Sequence, residues 1–248
     1  MLAVFKREFK SYFTNPLGFI ILAVFYFLLG YLFTNYYSQG APYVEYVVLG
    51  IARILLIVIP AITMRLFSDE RRTKTDQVLF TAPVKLISIV LGKFFAALAL
   101  YALGFAPTII YQVVVSAYVS VNLFYYIYAL IGALLFGAAL IAVGMFISSL
   151  TESPITSIIF TLVVNVFIMI SGGFANSITA PAANNWYTKV WAWIVERFAD
   201  FVGGMNFMGV LESFGNQTFS VKDVVYFVSI AAAFIFLTER SLEKRRWS

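Results

Sequence analysis

Chemistry in this chain is concentrated in a few places. The densest is Asp69-Glu70-Arg71-Arg72-Thr73-Lys74-Thr75-Asp76, followed by Gln77-Val78-Leu79-Phe80-Thr81-Ala82-Pro83. Carboxylates and guanidinium groups ahead of a short apolar turn and a proline stop suit a surface that docks another protein. They also suit a solvated basic loop beside a membrane. They do not suit catalysis. The chain has no histidine and no cysteine, which excludes His-ligated zinc, cysteine nucleophiles, Ser-His-Asp triads and disulfides. Gly92-Lys93 is not a phosphate loop, because Phe94 and Ile87 stand where a hydroxyl residue and a glycine are required. Paired carboxylates within the bilayer are missing too, since 94–151 and 153–188 hold no acid. Arg53, Gln112 and Asn165 are the remaining polar side chains of note, each inside an apolar run.

The elements that must position these residues follow from composition. Of 248 residues, 62% are hydrophobic and 12% charged, against about 25% charged in a soluble domain. Residues 17–44, 94–151 and 153–188 carry no charge at all, and uncharged apolar runs of 18 or more read as membrane-spanning helices. The fold class expected is therefore all-α and polytopic. Six spans can be drawn, near 17–37, 47–67, 94–115, 124–147, 155–171 and 224–237. Asn15-Pro16 opens the first as an N-cap followed by proline at the first helical position. Gly172-Gly173 breaks the fifth. The sixth is short and needs 219–223 or a thin bilayer to cross. Gly132, Gly137 and Gly144 permit close helix contact within span four.

An even number of spans puts both termini on one side. The N-terminal Lys6, Arg7 and Lys10, the 65–93 connection and the C-terminal Arg240, Lys244, Arg245 and Arg246 together hold thirteen of the 17 basic residues. The positive-inside rule places that side in the cytoplasm. Residues 1–16 read as an interfacial helix, with Leu2, Phe5, Phe9, Tyr12 and Phe13 on one stripe. In the outer connection, 174–221, Tyr187, Val190, Trp191, Ile194, Phe198 and Phe201 recur at helical spacing between Asn184-Asn185 and Gly203-Gly204. That pattern predicts an interfacial or re-entrant helix. The whole of 1–248 is one transmembrane domain.

The segment 69–83 resembles the cytoplasmic signature of ABC-2 type transporter permeases, E-E-R-x-x-G-T-x-E-x-L-L-T-x-P. Two further stretches share the likeness: Ile89-Val90-Leu91-Gly92-Lys93-Phe94 and Ile147-Ser148-Ser149-Leu150-Thr151-Glu152. The layout of an N-terminal elbow helix, six spans and an outer re-entrant pair before the last also resembles that family. Lys74 replaces the signature's glycine, which puts the bend before the short helix in question, and Gln77 replaces its glutamate. The T-D-Q form at 75–77 is similar to the gliding-motility-associated permease branch.

The resemblance implies a permease half in a bacterial plasma membrane, working with a second half (the same chain or a related one). A separate cytoplasmic ATP-binding-cassette ATPase would bind ATP and Mg, while this chain binds no cofactor or metal of its own and no nucleic acid. On this likeness, 68–83 forms a coupling helix seated in the ATPase. The coupling residues are Asp69, Glu70, Arg71, Arg72, Thr75, Asp76, Leu79, Thr81 and Pro83, with Thr151 and Glu152 from the loop between spans four and five.

Arg53 is the sole ionised residue deep in a span, where burial costs ~2.5–3.5 kcal/mol. It is read as lining the outer half of the translocation path; snorkelling or pairing with Glu45 is the alternative. Gln112 and Asn165 are further pathway candidates, or interhelical hydrogen-bonders. Export of a hydrophobic or amphipathic cargo is the expected function. A scaffold that recruits an ATPase without transport, and an ion-coupled secondary transporter, are the other readings.

Overall fold

The computed structural model describes residues 1–41, 43–75, 85–177, 186–204, 206–215 and 220–246. Among them are eleven helices: α1 (Leu2–Thr14), α2 (Pro16–Ser38), α3 (Val44–Thr63), α4 (Ser68–Arg72), α5 (Leu86–Gly104), α6 (Ala106–Ser116), α7 (Leu123–Leu150), α8 (Pro154–Ser177), α9 (Trp186–Gly204), α10 (Phe207–Gly215) and α11 (Val221–Arg246). Six helical stretches are long and apolar enough to cross a membrane, with α3–α4 and α5–α6 each counting as one. The protein is an all-α, multi-pass membrane protein.

At the centre stands α7, which packs on α3, α11, α5, α10 and α8. It approaches its neighbours closely because its glycines leave room. A Cβ on Gly137 would lie 2.2 Å from the Tyr101 ring, and Gly132 and Gly144 face Phe214 and Thr63 in the same way. Each therefore serves packing inside this chain.

Two boundaries differ from those the sequence predicts. Span three begins at Leu86 rather than near 94, because Leu86–Leu91 is already apolar and Lys93 is accommodated inside the protein. The helix of the fifth span, α8, runs through Gly172-Gly173 to Ser177. In a bilayer an unpaired backbone amide costs more than the ~1 kcal/mol helix penalty of each glycine. The sixth span draws on residues 221–223, as its short apolar run requires: α11 starts at Val221, and its last eight residues, from Glu239 on, carry six charges that lie outside any apolar core.

Two prolines interrupt spans, and other helices repair both breaks. Pro60 has no N–H for the carbonyl of Leu56, and the side-chain amide of Asn165 donates to that oxygen at 2.8 Å. Pro107 likewise has no N–H for the Leu103 carbonyl, and the Tyr26 hydroxyl donates to it at 3.2 Å. Span three is split there into α5 and α6.

Helix α1 packs against α5 and α2. Phe5, Phe9 and Phe13 form a ladder that continues to the exposed Phe19 of the first span, with centroid spacings of 5.8, 5.2 and 5.5 Å. Asn15 does cap α2 in position, although its side chain makes no cap bond. The outer helix forms where the spacing predicts it, but Val190, Trp191 and Ile194 point out of the chain and only Ala192 among residues 189–195 is buried.

Candidate coupling site

Residues Met64 to Thr75 leave the end of α3, form α4 and turn. The turn is held at its start by Ser148 of α7. Its Oγ accepts from the amides of Phe67 and Ser68 at 3.1 and 3.2 Å and donates to the carbonyl of Met64 at 3.1 Å. Asp69 and Glu70 lie in the first turn of α4 and Arg71 and Arg72 in the last, the arrangement that complements the helix dipole. At its end the Lys74 amide donates to the Arg71 carbonyl (3.1 Å) and the Thr75 amide to the Glu70 carbonyl (2.9 Å). This is the paired C-terminal cap that usually takes glycine.

Lys74 adopts φ 55, so lysine makes the bend that the family signature assigns to glycine. A left-handed conformation costs a side-chain-bearing residue roughly 1–2 kcal/mol. Lys74→Gly is therefore expected to stabilise the turn by about 0.5–1 kcal/mol after glycine's larger chain entropy is subtracted. A raised thermal midpoint of the purified protein would show it; Lys74→Val should lower the midpoint.

Arg71 joins α4 to the loop between the fourth and fifth spans. Nη1 donates to the Leu150 carbonyl at 2.6 Å and Nη2 to the carboxylate of Glu152. Thr151 caps α7 through its Oγ1 on the Ile147 carbonyl. Asp69 pairs with Arg65 at 3.5 Å, and Thr75 bonds Thr73 and the Glu70 carbonyl. Arg72 is exposed and meets no partner among the described residues. Thus Arg71 and Glu152, two of the sequence candidates, are in contact. Asp76, Leu79, Thr81 and Pro83 lie outside the described residues.

The other side of α4 is held by Lys93, a residue to which the sequence alone assigns no coupling role. Lys93 is 1% exposed. Its Nζ donates to the Leu66 carbonyl at 2.6 Å, pairs with Glu70 at 2.9 Å and with Glu8 at 3.3 Å, and lies 5.0 Å from the centre of the Phe67 ring. Arg7 reaches the same two carboxylates, at 2.6 Å to Glu8 and 3.2 Å to Glu70. Its hydrogen bond to Glu8 and the charge of Glu70 hold its guanidinium above the ordinary pKa. One turn on, Tyr12 is buried and donates to the Ile62 carbonyl at 2.9 Å. Burial, and then the charge of Glu8, push its phenol far up, so it stays a donor at any ordinary pH. Four elements (α1, the end of α3, α4 and α5) meet in this knot. The signal in sequence was Gly92-Lys93: a charge one residue before Phe94 and an uninterrupted apolar helix.

The pathway candidates are dispersed. Arg53 Nη2 lies 2.9 Å from Glu212 of α10, with the two side chains 44% and 55% exposed; its partner is therefore not Glu45, which is buried in the first turn of α3. Gln112 is buried in α6 and its Oε1 meets no donor among the described residues. Asn165 is turned to Leu56, as above. Glu212 was not singled out from sequence, though it is the one acid in the short apolar helix 207–215.

Fold and charge placement together define a polytopic membrane component with a knot of ionised groups around the buried Lys93, where α1, the end of α3, α4 and α5 meet. The family model described as ABC-2 family transporter protein matches residues 32–238. The chain belongs to the ABC-2 transporter family, and is a membrane permease component of an ABC transporter. No curated protein matches it.

Proposed function

We propose that this chain is the membrane-spanning half of a bacterial exporter driven by a separate cytoplasmic ATPase, with ATP and Mg held by that partner. A second permease half, identical or related, completes the transporter. Both termini and residues 64–93 face the cytoplasm of the plasma membrane, as the basic bias supports. The cargo is hydrophobic or amphipathic, and the T-D-Q form at 75–77 favours the gliding-motility-associated branch.

The observation that carries this reading is the two-sided bracing of α4. Arg71 ties it to 150–152, and Lys93 ties it to α1 and α5. A force applied by a partner at 68–83 would thereby reach spans two to five and the elbow together. On this reading Arg53 and Glu212 line the outer part of the path. A half-exposed guanidinium near mid-span is unfavourable against lipid, and its carboxylate partner leaves the locality near neutral.

Affinity purification of the full chain from native membranes tests the proposal. An ATP-binding-cassette subunit should co-purify in near-equal amount and be weakened by Leu79→Asp. Purification of the intact chain without such a subunit would sink it.

A further inference from the structure

Between α1, the end of α3 and α4 lies a cleft of about 350 Å³, within the size range of small-ligand sites. Its walls carry three cations, Arg7, Arg65 and Lys93, and three carboxylates, Glu8, Asp69 and Glu70, so the lining sums to no net charge. Arg7, Lys93, Glu8 and Glu70 are engaged with one another.

The rest of the polar wall is not saturated. Arg65 pairs with Asp69 only loosely, at 3.5 Å, and its exposed guanidinium makes no hydrogen bond among the described residues. The side chains of Ser11 and Asn15 also line the cleft and make no hydrogen bond among the described residues. Donors of this kind suit phosphate oxygens, and Arg65 offers the fork that grips two of them. Asp69 and the Asn15 carbonyl oxygen can accept from an ammonium.

Position identifies the source of such a ligand. Leu17 and Leu66 form the apolar edge of the cleft. The aromatic ladder of α1 runs onto the exposed Phe19 of the first span. An amphipathic helix lying this way sits at headgroup depth.

We infer that this cleft binds a zwitterionic phosphoethanolamine headgroup of a bilayer lipid, with phosphate on Arg65, Asn15 and Ser11 and ammonium on Asp69. A neutral lining that presents both signs favours a ligand of separated charges over a net anion. A trimethylated amine has no N–H to donate and binds less well. The inference rests on the cytoplasmic interfacial placement of α1 proposed above.

The test uses the full chain in nanodiscs of equimolar phosphatidylethanolamine, phosphatidylcholine and phosphatidylglycerol, with retained lipid read by native mass spectrometry. Phosphatidylethanolamine should be retained at least fivefold over either competitor. The enrichment should fall toward parity in Arg65→Gln and, separately, in Asn15→Ala, while Lys10→Ala, outside the cleft, keeps it. Parity in the unmodified chain, or enrichment unchanged in both cleft variants, overturns the inference. So does complete displacement of the lipid by millimolar O-phosphoethanolamine, which would make the soluble headgroup the ligand.

The placement of α1 is checked apart from this. The chain has no cysteine, so Lys10→Cys reports alone. An impermeant maleimide should label it only from the cytoplasmic side; labelling only from outside removes the orientation without touching the lipid result.

Discussion

Lys93→Met should destabilise the protein by about 3–5 kcal/mol, the range for removing one partner of a buried ion pair. The ammonium is the common partner of Glu70, Glu8 and the Leu66 carbonyl. Without it Arg7 alone faces two carboxylates that are each less than one-fifth exposed. The thermal midpoint of the purified chain is the readout, with ligand-free lipid and detergent held constant. Adding Glu70→Leu to Lys93→Met should recover much of the loss, because it removes an orphaned carboxylate. A double variant no more stable than Lys93→Met alone would show that the loss comes from packing and not from unpaired charge.

Arg71→Glu is expected to separate ATP hydrolysis from the membrane. The substitution loses the bond to the Leu150 carbonyl and sets two carboxylates together where Arg71 and Glu152 now pair. Transport-coupled ATPase activity in reconstituted vesicles should fall at least tenfold, with the chain still folded. The exchange Arg71→Glu with Glu152→Arg restores the pair in reverse and should recover part of the activity. Coupled activity unchanged in Arg71→Glu would remove α4 and 150–152 from the transmission path.

Some of this was legible in the chain because it depends on local rules. Asn15-Pro16 starts a helix, charge-free runs cross bilayers, and the stripe from Tyr187 to Phe201 makes a helix wherever it sits. The unread parts depend on what lies across the bundle. Lys93 reads as a loop charge until Glu8 and Glu70, far away in sequence, are brought against it. Asn165 is a polar residue in a span until Pro60 exposes the carbonyl that it serves. Arg53 had a nearer candidate partner in Glu45; the actual one, Glu212, is 159 residues on. At Gly172-Gly173 the local rule misled, since glycine stops helices in water more readily than in lipid, where the backbone has no other donor or acceptor. In the candidate site, the contact between Arg71 and Glu152 joins two stretches that the signature picked out separately.

The order of synthesis gives the charged knot a further meaning. Glu8, Leu66, Glu70 and Lys93 all lie in the first 93 residues, so every group in it has been synthesised before α7 begins at Leu123. The hub of the apolar bundle arrives fourth among the spans, and α11, which packs against it, arrives last. Half-made chains can thus hold this charged end in its finished arrangement while the later helices still lie loose in lipid. Lipid tolerates uncovered leucine and phenylalanine, whereas an unpaired lysine at the membrane boundary has no such shelter. Early chain growth therefore secures the groups that the bilayer treats most harshly.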